Sequence, residues 1–542
     1  MIKHIGTVWR RNMRITSRLS CFQGASDMEK IAAAMHWLVE NPGAELIIEP
    51  GVYDITTPLA VETMQKVLSG AYGANPQRTM FNPKFAYSRG MSLAGQKNTK
   101  ISAYGATFMV YGFMEPVSVI DCEDVEICGL TIDHKRKPYT RGVVTEVEPV
   151  EVDGDAYYRI ELTLDADSPL EEGTPIRLRD RFYDPVGKRY VKLGKKDIKV
   201  IDKHHLSMLV SPDSCVATGL EYYTVHTFHF RPAVLIERAR KVTLTDVTIH
   251  SQPGMGIVGN RSEDILLRRV FVIPSLSHHW STNTDATHFT SVKGTLRYEN
   301  CMSEGHGDDF INVHGYYQDV VERIDSCTCI MQEKTPDGTH AQTLDYPDVD
   351  DTLELVDRET LLTKDVFTVV ACEPMHEKWC CRVQLDHPLP KSTDQLMLAD
   401  VTRLPRVEVV GCTITAHRAR GILIKSRNVL IERNCIRDVD MAGIEIAAES
   451  RWSEGVCPCD VIIRGNRIEN CGDGILIKAD SRGAKGQSIR NIVVEDNIIA
   501  VPDACGGISA RNVDGLYIRR NKIVCDGPAV RIDDCTGVDT DM

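Results

Sequence analysis

Val125-Glu126-Ile127-Cys128-Gly129-Leu130-Thr131-Ile132 carries an eight-residue pattern: aliphatic, any, aliphatic, two variable positions, a sixth of varied type, any, aliphatic. Val242-Thr243-Leu244-Thr245-Asp246-Val247-Thr248-Ile249 repeats it, and residues 265–272 repeat it again. After a gap it returns at 407–414, 429–436, 461–468, 492–499 and 516–523, with Asn434, Asn466, Asn497 and Asn521 at the sixth position. Alternation with period two reads as strand, and recurrence at intervals of about 20–30 residues reads as stacked units. One such unit cannot bury its own apolar face, whereas a stack buries a continuous column. A run of sandwich strands would not hold one register through so many units. The expected fold is therefore all-β: a right-handed parallel β-helix, with the asparagines forming an amide ladder at one corner.

Outward from that repeat, each window is followed by a second strand-like piece, as in Gly421-Ile422-Leu423-Ile424-Lys425 and Gly443-Ile444-Glu445-Ile446. Before the coils, residues 27–38 read as an amphipathic helix capping the stack, followed by a strand and turn at 45–53. Residues 143–230 and 317–404 break the repeat but alternate like strands. Structureless loops of that length are implausible in a compact domain. The expected organisation is a cap and first coils at 1–142, an inserted β-barrel-like subdomain at 143–232, and coils carrying the site at 233–316. A second insertion of the same kind follows at 317–404, with the last coils at 405–542.

The 542-residue chain carries 63 Lys+Arg against 76 Asp+Glu, a net charge of −13. That balance argues against a nucleic-acid partner, which needs clustered cations. Most of the 18 cysteines sit in apolar strand-like runs and read as small buried hydrophobes. No apolar run reaches bilayer-spanning length, and residues 1–20 lack the apolar core of a secretory leader. A soluble protein, cytoplasmic or exported, is expected. A homodimer stays open.

Candidate chemistry comes from aligning second strands of adjacent coils. Thr287 and Phe289 in one, and Ile311 and Val313 in the next, share the inward direction, which puts Asp285 and Asp309 in register. Adjacent strands lie about 4.8 Å apart, so these carboxylates stack, and Asp308 adds a third beside Gly307. Like charges at that spacing are unfavourable and push at least one carboxyl to hold its proton. Glycoside hydrolysis uses that division between an acid and a base. A calcium site or a solvated acidic turn is the alternative. His288, Asn312 and His314 are expected outward beside the acids, and Lys425 and Glu445 outward on later coils, as a sugar groove would need. A metal site built on His306 and His314 finds no third histidine at suitable spacing. His278-His279-Trp280 reads either as an aromatic platform or as a loop anchor.

Ser281-Thr282-Asn283-Thr284-Asp285-Ala286-Thr287-His288, Glu304-Gly305-His306-Gly307-Asp308-Asp309 and Ile311-Asn312-Val313-His314-Gly315 together resemble glycoside hydrolase family 110. Residues 132–142 and Trp452-Ser453-Glu454-Gly455 add to the likeness, which runs from about residue 45 onward. The order of the aspartates is also similar to the polygalacturonase family. The resemblance implies a β-helix exo-α-galactosidase with small β-barrels on the helix, acting without a cofactor and with inversion. It also implies Asp308 as general acid, with Asp285 and Asp309 positioning and deprotonating water, and Trp452 and Glu454 near the sugar. A polygalacturonase-like hydrolase, a polysaccharide lyase and a non-catalytic carbohydrate-binding β-helix are the competing readings.

Overall fold

The computed structural model describes residues 14–82, 84–171, 173–176, 179–333, 344–480, 486–501 and 506–541. Most of residues 1–20, which were expected to lack the apolar core of a secretory leader, thus lie outside the described residues.

The repeat builds a right-handed parallel β-helix with three sheets. Positions one to four of each window form sheet I, where Val242 pairs with Val125 below and Ile265 above. Position eight lies in sheet II, where Ile249 pairs with Ile132 and Val272. The second strand-like pieces form sheet III, which includes Ile257–Asn260, Thr287–Thr290, Ile311–Arg323, Ile422–Lys425 and Ala442–Glu449. Inward aliphatic side chains from all three sheets make one core running the length of the stack.

The corner between sheets I and II is fixed by the fifth position of the repeat. Gly129, Asp246, Arg269, Gly411, Arg433, Gly465, Asp496 and Arg520 all adopt a left-handed backbone, with φ between 49° and 76°. Such a conformation is uncommon outside glycine, asparagine and aspartate, yet three arginines accept it where the chain must turn. One step later the amide ladder stands. Asn466 Oδ1 accepts from the backbone N–H of Asn434 at 2.9 Å, and Asn497 Oδ1 accepts from that of Asn466 at 2.9 Å. Each side-chain amide also donates to a main-chain carbonyl, as Asn466 does to Ile431.

The cap is the helix Asp27–Glu40, which buries Ile31, Ala34, Met35 and Leu38 on the first coil. Ser26 accepts from the Glu29 backbone, and Glu29 reaches back to the Ala25 N–H, satisfying two donors at the helix start. A further helix, Pro58–Leu68, starts on a Thr57 cap.

Both breaks in the repeat are β-rich insertions, and they differ in closure. In the second, Ile311–Arg323 runs straight out of sheet III and pairs with Thr328–Glu333. That strand pairs with Cys380–Leu385, then Thr363–Met375, Thr352–Asp357 and Leu396–Asp400 follow, and the last returns to Ile311–Arg323. This is a closed barrel around Leu353, Phe367, Val383 and Leu398. The first insertion is instead a seven-stranded antiparallel sheet, curled around Leu162, Phe182, Leu206 and Tyr222, whose end strands Arg189–Val191 and Lys195–Asp202 do not pair among the described residues. Among the described residues no helix is long and apolar enough to cross a membrane, and every cysteine is free of disulfide.

Candidate active site

Sheet III carries the acids. Its register pairs Thr287 with Ile311 and Phe289 with Val313, and the next rung pairs Ile311 with Ile422. Two residues upstream on successive rungs stand Asp285, Asp309 and Arg420. Gly307 lets the acidic turn pack closely, because a Cβ there would lie 2.1 Å from the Asn283 carbonyl oxygen. Asp285, Asp308 and Asp309 converge with carboxylate oxygens within 4.8 Å of one another.

Their surroundings differ. Asp309 is buried and saturated: Arg420 donates from its backbone N–H and Nε to Oδ1 at 2.8 and 2.9 Å, and from a terminal nitrogen to Oδ2 at 2.7 Å. Asp285 is also buried. Its Oδ1 accepts the Asp309 N–H at 3.1 Å, and its Oδ2 lies 2.6 Å from His288 Nδ1. Burial, with the charges of Asp308 and Asp309 added, pushes its carboxyl up to about 6 despite the histidine. Asp308 is the most accessible of the three, with its side chain 21% exposed. Arg179 from the first insertion meets its Oδ2 at 2.7 Å, and Arg418 approaches the same atom at 3.5 Å. Among the described residues nothing donates to Asp308 Oδ1.

The three acids open on a cavity of about 370 Å³, within the range of small-ligand sites. Arg418, Arg420, Glu449, Phe81, His229 and Met255 line it with the acids, as does Trp452, 46% exposed. His288, Asn312, His314 and Glu454 line the cavity with the acids. Lys425 and Glu445 do not. Lys425 is fully buried behind the wall, where Nζ meets Glu454 at 2.6 Å, Glu449 at 2.9 Å and Asn312 at 3.2 Å. Burial would strip its proton, but those two carboxylates outweigh burial and raise its pKa. Glu445 is buried beside Lys478 at 3.3 Å, and burial raises its carboxyl. Their outward direction from the coil is real, but the turn carrying Glu454, which pairs with Tyr316, covers Lys425.

Trp280 is buried against Tyr223 and Tyr190, and His279 stacks on Tyr183 at 3.9 Å, so that segment anchors the first insertion to the coils. His306 is not part of the cavity lining: its Nδ1 lies 2.8 Å from the Asp308 backbone carbonyl oxygen and its ring stacks on His417 at 3.8 Å. The acid trio is the one group among the described residues with metal-like convergence. Two of its members already hold arginines, so a cation would have to displace guanidinium partners, which disfavours that reading.

Register alone reaches Arg420: extending the alignment of Asp285 and Asp309 by one coil lands on it. Arg179, Phe81 and His229 come from outside the repeat, where no periodic signal points at them.

Residues 399–523 match a family described as "Right handed beta helix region". Over 520 residues the chain is 25% identical to alpha-1,3-galactosidase A of Bacteroides thetaiotaomicron, spanning 92% of this chain and 89% of that one. The chain is similar to α-1,3-galactosidases. Alpha-1,3-galactosidase B of Bacteroides fragilis strain YCH46 is 26% identical over 82% of this chain and 80% of its own. Alpha-1,3-galactosidase A of Peterkaempfera griseoplana reaches 30% identity, over 57% of this chain and 46% of its own. Among solved structures, a family 28 exopolygalacturonase of Yersinia enterocolitica is similar at a TM-score of 0.44 and 9% identity, over 98% of this chain and 79% of that one.

Proposed function

We propose that this protein is an exo-acting, inverting glycoside hydrolase that removes terminal α-linked galactose. The observation that carries the reading is the convergence of Asp285, Asp308 and Asp309 at a walled cavity, in a chain similar along most of its length to α-1,3-galactosidases. Asp308, with Oδ1 open to the cavity, gives its proton to the glycosidic oxygen as the bond to the anomeric carbon breaks. A water attacks that carbon from the opposite face and passes its proton to Asp285. Asp309, locked by Arg420, supplies fixed negative charge for the cationic transition state.

Direct attack by water is favoured over a glycosyl-enzyme by the hydrogen bonds. Both oxygens of Asp309 already accept bonds from Arg420, which blunts it as a nucleophile. The trio is tighter than the separation usual for inverting pairs, about 6.5–9.5 Å, and nearer the roughly 5–5.5 Å of retaining ones, so the anomer released first decides between the two courses. Arg179 from the first insertion and Arg451, Trp452 and Glu454 from the turn at 450–455 line the cavity, whose size suits one terminal sugar.

A second reading is a polygalacturonase-like hydrolase, favoured by Arg179, Arg418 and Arg451 at the cavity, cations that a uronate carboxylate would use. One experiment separates them: α-galactosyl disaccharides, p-nitrophenyl glycosides and oligogalacturonides are each incubated with the enzyme, and products are followed by proton NMR. Galactose appearing first as the β-anomer supports the proposal. Galacturonate release favours the second reading, and α-galactose appearing first overturns inversion.

A further inference from the structure

The strongest unassigned device is a pair of histidines behind Asp285. His314 Nδ1 lies 2.8 Å from the Gly315 carbonyl oxygen. A carbonyl only accepts, so Nδ1 carries the proton. Complete burial drives this imidazole to the neutral form, with its pKa down to about 3, so Nε2 holds a lone pair. That lone pair faces His288 Nε2 at 2.9 Å, and His288 Nε2 must therefore donate. On its other side His288 Nδ1 stands 2.6 Å from Asp285 Oδ2, a gap that holds one proton.

We propose that His314, fixed as an acceptor by the Gly315 carbonyl, locks a proton on His288 Nε2 and makes His288 the positioning residue that keeps Asp285 a carboxylate during catalysis. The inference rests on the galactosidase reading and deepens it. The titratable groups around His288 are Asp285 on its own strand segment, neutral His314 on the next rung, Asp308 and Asp309 on the acidic turn, and Glu454 and Lys425 beyond. The rung below presents Val258, which is apolar. Two neighbouring carboxylates disfavour charge on Asp285, and the imidazolium opposes them. Burial works against a charged His288, and the hydrogen bond and charge of Asp285 outweigh burial. The two groups titrate as a unit.

The test is the pH profile of kcat, with KM read alongside. His288→Gln keeps a polar side chain but not the charge, so the acidic limb is expected to move up by about one pH unit or more, with KM near wild type. His314→Leu, which removes the acceptor, is expected to shift the limb in the same direction. His314→Gln, whose amide oxygen can accept, is expected to restore it. An unmoved limb in both His288→Gln and His314→Leu overturns the proposal. Neutron diffraction of the wild type tests the lock without activity: deuterium on His314 Nδ1 and on His288 Nε2 supports it, and a bare His288 Nε2 overturns it. Absence of any sugar release would sink the hydrolase reading while leaving the neutron result to decide the lock.

Discussion

Arg420 shows how much one residue can carry. It neutralises Asp309 through three hydrogen bonds and approaches Glu449 at 3.4 Å. Removing one partner of a buried pair leaves the other charge uncompensated. Arg420→Ala is therefore expected to cost about 3–5 kcal/mol, read by denaturant melts. Asp308→Asn should behave oppositely. That side chain is partly exposed, so stability holds while sugar release falls about 10²–10⁴-fold or more, measured on an α-galactosyl disaccharide. At this scale the sequence was informative where periodicity reached. Asp285 and Asp309 follow from alternation and register, and so does Arg420, one coil further on. Alternation also points Lys425 and Glu445 away from the core, correctly. It says nothing of the turn laid over Lys425 or of Lys478 beside Glu445, and a side chain leaving the core can enter a second buried layer. Arg179 belongs to an antiparallel sheet docked from the side, and no feature local to it records where it lands.

Among the elements, the amide ladder is the clearest case of a sequence signal with a bonding consequence. Asn466 satisfies the Asn434 backbone above and spends its own amide on Ile431 and on Asn497 Oδ1. Asn466→Ala takes the acceptor from the buried Asn434 N–H and a donor from the Ile431 carbonyl, and each unpaired group costs about 1–3 kcal/mol. A lower melting temperature by calorimetry is expected, larger than for Asn521→Ala, because Asn521 is only partly buried. The fifth repeat position was legible only as variable. Its common property is a left-handed backbone rather than a side-chain type, so arginine, aspartate and glycine share it. The insertions were legible as β-rich by alternation, but closure depends on which strands meet at the ends. Thus one is a closed barrel and the other a curled sheet.

Across the whole molecule, buried histidines make one contribution to stability that acid removes. His134 is held down to about 4, and His226 and His314 to about 3, chiefly by burial. Unfolding frees them to take protons below about 6.5, whereas the folded protein resists until near 3–4. Stability from these three is whole above that range and lost as pH falls through it. Asp285 works the other way: its folded value of about 6 exceeds the ordinary 3.8, so it favours the folded state as pH falls from 6 towards 4. Asp400, pushed up to about 8 by burial, and Glu445 act in the same sense as Asp285, so the histidine share is read by replacement: in His226→Gln the loss of melting temperature between pH 7.5 and pH 5 is expected to be smaller than in the wild type by scanning calorimetry.

The stacking of rungs also dictates which changes of length the chain can absorb. Asp309 and Arg420 touch only because Ile311–Arg323 lies directly beside Ile422–Lys425, although the barrel separates them in sequence. The loops of that barrel can lengthen freely, since both of its exits stay where they are. A duplicated coil beyond residue 513 would merely extend the far end. The same duplication placed between those two strands would slide the arginine one storey away and leave the acid without its counter-charge. Natural variants of this chain should therefore differ in barrel loops and distal coils, and keep that single junction unbroken.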